Sequence, residues 1–151
     1  MKEFKSTDLM VGDWLHAIDE DGKKHPCRAN DLKYDFTNNR ADFSVDFSGT
    51  DFEPEWPDIM FDTAPIPLTK KILQKNGFEV MDQGGGRCDA WTGFGPDCEG
   101  DIEVTFQNGR PVHLKIDGTF KGEYYTSNNV KYVHQLQDAL RRCGTGKEIL
   151  L

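Results

Sequence analysis

No stretch of the 151-residue chain reaches the roughly 18 consecutive apolar residues that a membrane span needs. The opening Met1-Lys2-Glu3-Phe4-Lys5 lacks the basic-then-apolar layout of a secretory signal. A soluble, cytoplasmic protein with no membrane partner is therefore expected. Cysteine is sparse: Cys27, Cys88, Cys98 and Cys143 form no C-x-x-C pair, and the Cys88–Cys98 interval matches no zinc ribbon. Reduced thiols follow for a reducing compartment, with a Cys88–Cys98 bridge conceivable only in an oxidising one. Gly84-Gly85-Gly86-Arg87 lacks the Lys-Ser/Thr that completes a P-loop. Asp19, Asp21 and Gly22 imitate a calcium loop, but its frame then demands acids where Ala17 and Arg28 stand. There is no internal repeat or low-complexity tract. No cofactor, metal site or catalytic residue is expected from these patterns.

What is present is ordinary globular material. Hydrophobic residues make up 36% and charged residues 29%, with ten Phe, four Tyr and three Trp to fill a core. The net charge is −8, which speaks against direct nucleic-acid binding, because gripping phosphates requires a basic face. The excess acid is confined to one half. Residues 1–66 hold 7 Lys/Arg against 15 Asp/Glu, whereas residues 67–151 hold 11 of each. Asp42, Asp46, Asp51, Glu53, Glu55, Asp58 and Asp62 follow one another without an intervening Lys or Arg. Such a run is either a solvated face or a docking surface for a basic protein.

The first half reads as short strands. Between Leu9 and Ile18, alternation sets Trp14, His16 and Ile18 on one face, and Asp21-Gly22 marks a turn. Residues 27–34 can return as a second strand, with Pro26 confined to its start. Phe43, Val45 and Phe47 alternate with Asp42, Ser44 and Asp46, so the apolar set should face inward and the acids outward. Strands at this spacing predict a small curled, SH3-like module over residues 1–66. Gly49, Pro54, Pro57 and Pro65 make residues 48–66 a long loop and the domain boundary.

Residues 67–151 predict an antiparallel sheet with two flanking helices, on which the first module packs, giving an α+β protein. Thr69 is the expected N-cap of the first helix, Leu68 can staple onto Leu73, and Gly77 supplies a left-handed stop. Phe78 begins a strand through Val80. Six glycines between Gln83 and Gly100 make that stretch either a mobile loop or two short strands around Trp91. Ile102, Val104 and Phe106 face Val112, Leu114 and Ile116 across Asn108-Gly109. A two-residue Asn-Gly turn would pair Val104 with His113 and mismatch the faces, so a three-residue type I turn, Gln107-Asn108-Gly109, is predicted, pairing Val104 with Val112 and leaving Gly109 left-handed in a bulge. Asp117-Gly118 turns the chain toward a strand through Phe120 and Tyr124. The last helix is capped by Asn128 or Asn129, carries Val133, Leu136, Leu140 and Cys143 as an apolar stripe with His134 at its boundary, and stops at Gly144.

Three stretches together resemble a known group: Leu9-Met10-Val11-Gly12-Asp13-Trp14, then Pro65-Ile66-Pro67-Leu68-Thr69 through Lys75-Asn76-Gly77-Phe78, then Tyr132-Val133-His134-Gln135-Leu136-Gln137-Asp138-Ala139-Leu140 through Cys143-Gly144. They resemble a family of small uncharacterised proteins of gut bacteria, their bacteriophages and mobile elements. The resemblance implies an intracellular, phage-linked context and carries no activity or catalytic residue. It leaves out residues 48–62 and 83–100, where a function particular to this chain would lie.

Two functional readings compete. In the leading one, a non-enzymatic binding protein, in effect an inhibitor-like module, docks on a basic partner through Asp46, Asp51, Phe52, Glu53, Glu55 and Trp56. Phe52 and Trp56 would be apolar anchors inside a charged rim. In the other, a nucleotide-like ligand binds, or is hydrolysed, beneath the Gly-rich loop 83–100, with Trp91 stacking on a ring, Arg87 near a phosphate and His113 alongside. Cys98, His113 and Asp101 lie close enough in sequence for folding to gather a nucleophile, a base and an orienting acid.

Overall fold

The computed structural model describes residues 9–54, 61–95, 98–118 and 125–151. The protein is α+β, with antiparallel sheets of four and five strands and two helices. The chain divides into two compact units, Met1–Ile66 and Pro67–Leu151.

In the first unit, β1 (Trp14–Ile18), β2 (Lys24–Asp35), β3 (Arg40–Asp46) and β4 (Asp62–Pro65) lie in the order β3-β2-β1-β4. Register decides which side chains meet. Leu15 pairs with Cys27, Ala17 with His25 and Ala29 with Val45, so these residues share one face. Leu9, Leu15, Ala17, Cys27 and Ala29 form its buried core, with Leu32, Phe43, Val45, Phe47 and Phe61 packed against them. The inward set of β3 matches the alternation in the sequence. Trp14, His16 and Ile18 occupy the other face, where the Arg28 guanidinium sits 4.4 Å from the Trp14 ring centroid.

Two features of this unit correct the sequence reading. The stretch 48–66 is not all loop: β4 pairs with β1, Ala64 opposite His16. Four residues carrying Pro65 show no alternation, so only the neighbouring strand reveals them. β2 also begins three residues early and contains Pro26. The β3 ladder ends at the Arg28–Asp46 pair, so at Pro26 the missing N–H faces no strand. A register shift between Asn30 and Lys33, with Asp31 at φ 47°, bends this long strand.

In the second unit, α1 (Lys70–Lys75) precedes a meander of β5 (Glu79–Gly84), β6 (Arg87–Gly95), β7 (Cys98–Gln107), β8 (Arg110–Asp117) and β9 (Tyr125–Ser127), and α2 (Val133–Arg142) closes it. The Thr69 hydroxyl accepts from the Ile72 N–H at 3.2 Å, as its position predicts. Both helices stop at a left-handed glycine with the same double closure. Gly77 N–H donates to Gln74 and Phe78 N–H to Leu73; Gly144 N–H donates to Arg141 and Thr145 N–H to Leu140.

The Gly-rich stretch is strand rather than loop, since β6 runs through Trp91 between β5 and β7. Its glycines cluster at the Gly85-Gly86 turn and at the far end, and Ala90 in the middle is fully buried. Gly100 lets the Phe94 ring lie against the backbone where a Cβ would stand.

The β7–β8 turn is also corrected. Gln107 pairs with Arg110, leaving the two-residue loop Asn108-Gly109 at φ 52° and 78°, both left-handed. The register then slips by one residue between Thr105 and Phe106, which bulges Val112 outward and leaves it 41% exposed. Val104 thereby meets Leu114 and Ile102 meets Ile116. The parity conflict is resolved by a bulge in the strand, not by a longer turn.

The α2 cap is neither Asn128 nor Asn129. Tyr132 takes the N-cap position, and Gln135 Oε1 accepts from Lys131 N–H at 2.6 Å and Tyr132 N–H at 3.1 Å. The stripe Val133, Leu136 and Leu140 is completely buried, but Cys143 is only half-buried. His134 is buried rather than at the boundary, stacked beside Tyr132. The expected strand through Phe120 and Tyr124 falls outside the described residues. No helix among the described residues is long and apolar enough to cross a membrane.

One prediction arises from β1. The imidazole of His16 is held below its ordinary pKa of 6.5 by burial, and then by the nearby Lys24 charge. Its Nδ1 is enclosed with no hydrogen-bond partner among the described residues. The unfolded chain therefore binds a proton that the folded one resists, and stability falls as pH drops below about 6.5. Asp19, lowered chiefly by its bond with His25, and Asp46, lowered chiefly by Ser48, add a second loss below their ordinary 3.8. Urea midpoints measured across pH should show both limbs. A His16→Gln variant should lose the upper limb and keep the lower one.

Candidate functional site

The acidic aromatic segment folds back on the inner face of the first sheet and leaves a cleft of about 380 Å³. Its lining is Val45 to Thr50, Phe52 to Pro54, and Phe61. The rings build one wall. Phe47 meets Phe52 edge-on at 4.9 Å and Phe61 at 5.3 Å, and Phe52 and Phe61 are 6.2 Å apart. Such T-shaped pairs are favoured by the ring quadrupoles. Beneath them Phe52 stacks on the His25 imidazole at 3.7 Å, and His25 Nε2 lies 2.7 Å from Asp19 Oδ2. Asp19 is itself fixed by accepting from the Asp21 and Lys23 N–H groups.

The polar wall is the turn after β3. Asp46 Oδ1 accepts from the Ser48 hydroxyl at 2.6 Å and its N–H at 2.9 Å, and these bonds lower the pKa of the carboxyl. Thr50 closes the turn by donating its N–H and hydroxyl to the Phe47 carbonyl. Glu53 adds a second, exposed carboxylate. Among the described residues no lysine or arginine lines the cleft. A cavity with an apolar aromatic wall and two carboxylates suits a cationic group on an apolar stem, such as a lysine or arginine side chain.

Of the residues expected to bind a basic partner, Asp46, Phe52 and Glu53 line this cleft. Asp51 is exposed beside it, and Glu55 and Trp56 lie outside the described residues. Phe52 is a half-buried wall of the cleft, held by three rings. His25 and Phe61 were missed. Starting β2 three residues earlier would have carried the inner parity of Cys27 and Ala29 back to His25.

The alternative set lies on the open face of the second sheet. Arg87, Trp91 and His113 all point away from the buried Ala90, Val104 and Leu114. They are strung out rather than convergent, since Arg87 and Trp91 stand four residues apart on one strand, roughly 13 Å. Arg87 is engaged by Asp89 at 3.2 and 3.3 Å, and His113 Nδ1 bonds the Asn128 side chain at 2.7 Å. Trp91 sits between Glu79 and Glu103 on the neighbouring strands, an environment opposed to a phosphate. Asp101 pairs with Asp117, four positions from the Thr105–His113 pair, so it does not orient that histidine.

Cys88 and Cys98 stand far apart along the strands. Cys88 pairs with Phe106 near one end of β6 and Cys98 with Gly95 at the other, roughly 23 Å along the strand, against the ~7 Å limit for a bridge. Cys88 is a free thiol 3.9 Å from Lys70 Nζ, and burial pushes the Cys27 thiol up to about 12. Among the described residues no three His, Cys, Asp or Glu side chains gather as metal ligands. No family model matches the chain, and neither a curated protein nor a solved structure does.

Proposed function

We propose that this is a non-enzymatic binding protein that docks on a basic protein through the acidic aromatic cleft of its first unit. The observation that carries the reading is the cleft lining, with Phe47, Phe52 and Phe61 beside Asp46 and Glu53 and no lysine or arginine among the described residues. Charge would accelerate the encounter, while a side chain seated against the rings would slow release. The unit itself is an SH3-like module in this reading. Its β1–β2–β3 meander returns through β4 to the side of β1, and Phe47 after β3 touches Phe61 before β4, so the two edges curl toward each other. The resemblance of three stretches to phage and mobile-element proteins supports an intracellular setting, in which an acidic surface could occupy a host protein that normally grips phosphates.

The test is fluorescence anisotropy with a labelled peptide in which lysine alternates with valine and threonine. Saturable binding that weakens with salt is expected. Phe52→Ala should weaken it by at least about tenfold, as truncation of a central aromatic does. Asp51→Asn/Glu53→Gln should slow association and flatten the salt dependence. Absence of saturable binding to the wild type, or full affinity in a folded Phe52→Ala protein, would overturn the proposal.

A further inference from the structure

We infer that His25 makes the cleft pH-sensitive: a proton on its imidazole weakens the grip on a cationic side chain, and loss of the proton restores it. This regulation rests on the docking reading above and goes a step beyond it. His25 is 8% exposed and closed off behind the cleft wall, its ring stacked on Phe52 at 3.7 Å and 21° from parallel. Its Nε2 lies 2.7 Å from Asp19 Oδ2. Asp19 is held in place in turn, because its other oxygen accepts from the Asp21 and Lys23 N–H groups at 3.0 and 2.8 Å. The imidazole is thus clamped between a fixed carboxylate and a ring that lines the cleft.

The charge balance gives the direction. With a neutral imidazole the His25–Asp19 pair carries the single negative charge of Asp19; with a protonated one it carries none. That change of one unit falls one ring behind the wall, where burial limits screening. The proton acts a second time, since an imidazolium draws on the same Phe52 π-cloud that a ligand cation uses. Histidine is the side chain that ordinarily changes charge between about pH 5 and 8. The other described groups around His25 are not of that kind. Its row across the sheet runs to Ala17 on β1 and Thr63 on β4. Lys24 and Asp62 both pair with Ile18 and so stand on the opposite face, where Lys24 acts on His16. Lys23 is exposed in the turn, and Asp51 and Glu53 are exposed on either side of Phe52. Asp46, where β3 ends, stands opposite Arg28 and is bonded to Ser48. Carboxylates and ammonium groups ordinarily keep their charge across that window.

The experiment uses the whole protein and repeats the anisotropy titration of the lysine-alternating peptide, its ends blocked, at about pH 8 and about pH 5.5, where the peptide's lysines stay charged. Affinity should fall by at least about threefold at the lower pH. Calorimetry between these limits should show net proton release on binding, read as an enthalpy that varies with the ionisation heat of the buffer. His25→Phe keeps a ring to stack on Phe52 but no titrating group, and should bind equally at both pH values with no proton released. His25→Gln, which keeps a hydrogen bond to Asp19, repeats that test without the ring. His16→Gln, on the opposite face, should retain both effects. Equal or tighter wild-type binding at the lower pH would overturn the inference and leave cleft docking standing. So would pH dependence that persists in a folded His25 variant or disappears in His16→Gln, since another group then carries it. If the peptide binds at neither pH, the docking reading falls and this inference with it.

Discussion

Leu136→Ala should lower the stability of the protein by about 2–5 kcal/mol, read as a shift of the urea midpoint at unchanged slope. Leu136 is completely enclosed on α2, between Val133 and Leu140, which are equally buried. Removing the isobutyl group forfeits its transfer energy and leaves a cavity whose walls are themselves held. In the same unit, Ile102, Val104, Phe106 and Ile116 are fully buried as well, and a close-packed interior relaxes only partly around a deleted side chain. A loss below about 0.5 kcal/mol would mean that α2 is not docked on its core.

A comparable loss, about 2–5 kcal/mol, is expected for Ile149→Ala, because the segment after α2 is a working part of the fold. Ile149 is fully buried. Its N–H donates to Gln137 Oε1 at 2.7 Å, and Gln137 Nε2 donates back to the Lys147 carbonyl at 3.3 Å. At the next residue, Asn76 clamps Leu150 on both sides, accepting from its N–H and donating to its carbonyl, each at 2.7 Å. Gln137→Ala strands a buried amide donor and should cost about 1–3 kcal/mol. The double variant should lose less than the two single losses added, since seating Ile149 and satisfying its N–H are one event. Strict additivity would show that the segment is not held as a unit.

These two predictions mark different degrees of legibility. The Leu136 stripe could be read directly, because helical period and burial are both written in residue spacing. Nothing in the spacing marks Gln137, a polar residue one position beyond that stripe, as fully buried. It is buried because a distant segment returns to cover it and offers its amide exact hydrogen-bond partners. His134 is hidden on the same helix for all its polarity. The candidate site shows the same division. Phe43, Val45 and Phe47 declare their inward face by alternation, and the acids declare their charge. That Phe52 stacks on His25, twenty-seven residues earlier, required the sheet to exist first.

By itself the sequence determined what depends on neighbours a few residues away: the alternating strands, the Thr69 cap, the glycine stops at Gly77 and Gly144, the apolar stripe of α2 and the acidity of the first half. Tertiary structure alone decided β4, the bulge at Val112, the Tyr132 start of α2 and the cleft. β4 and the cleft turn on pairings between segments distant in the chain, the bulge on the register of two neighbouring strands, and the Tyr132 start coincides with a bridge to Pro67. β4 is a strand only because β1 lies beside it. Val112 is extruded because Val104 and Leu114 must share a face while Asn108 and Gly109 fix the turn. A hydrogen-bonded register or a buried face is a property of two segments at once, and no single segment encodes it.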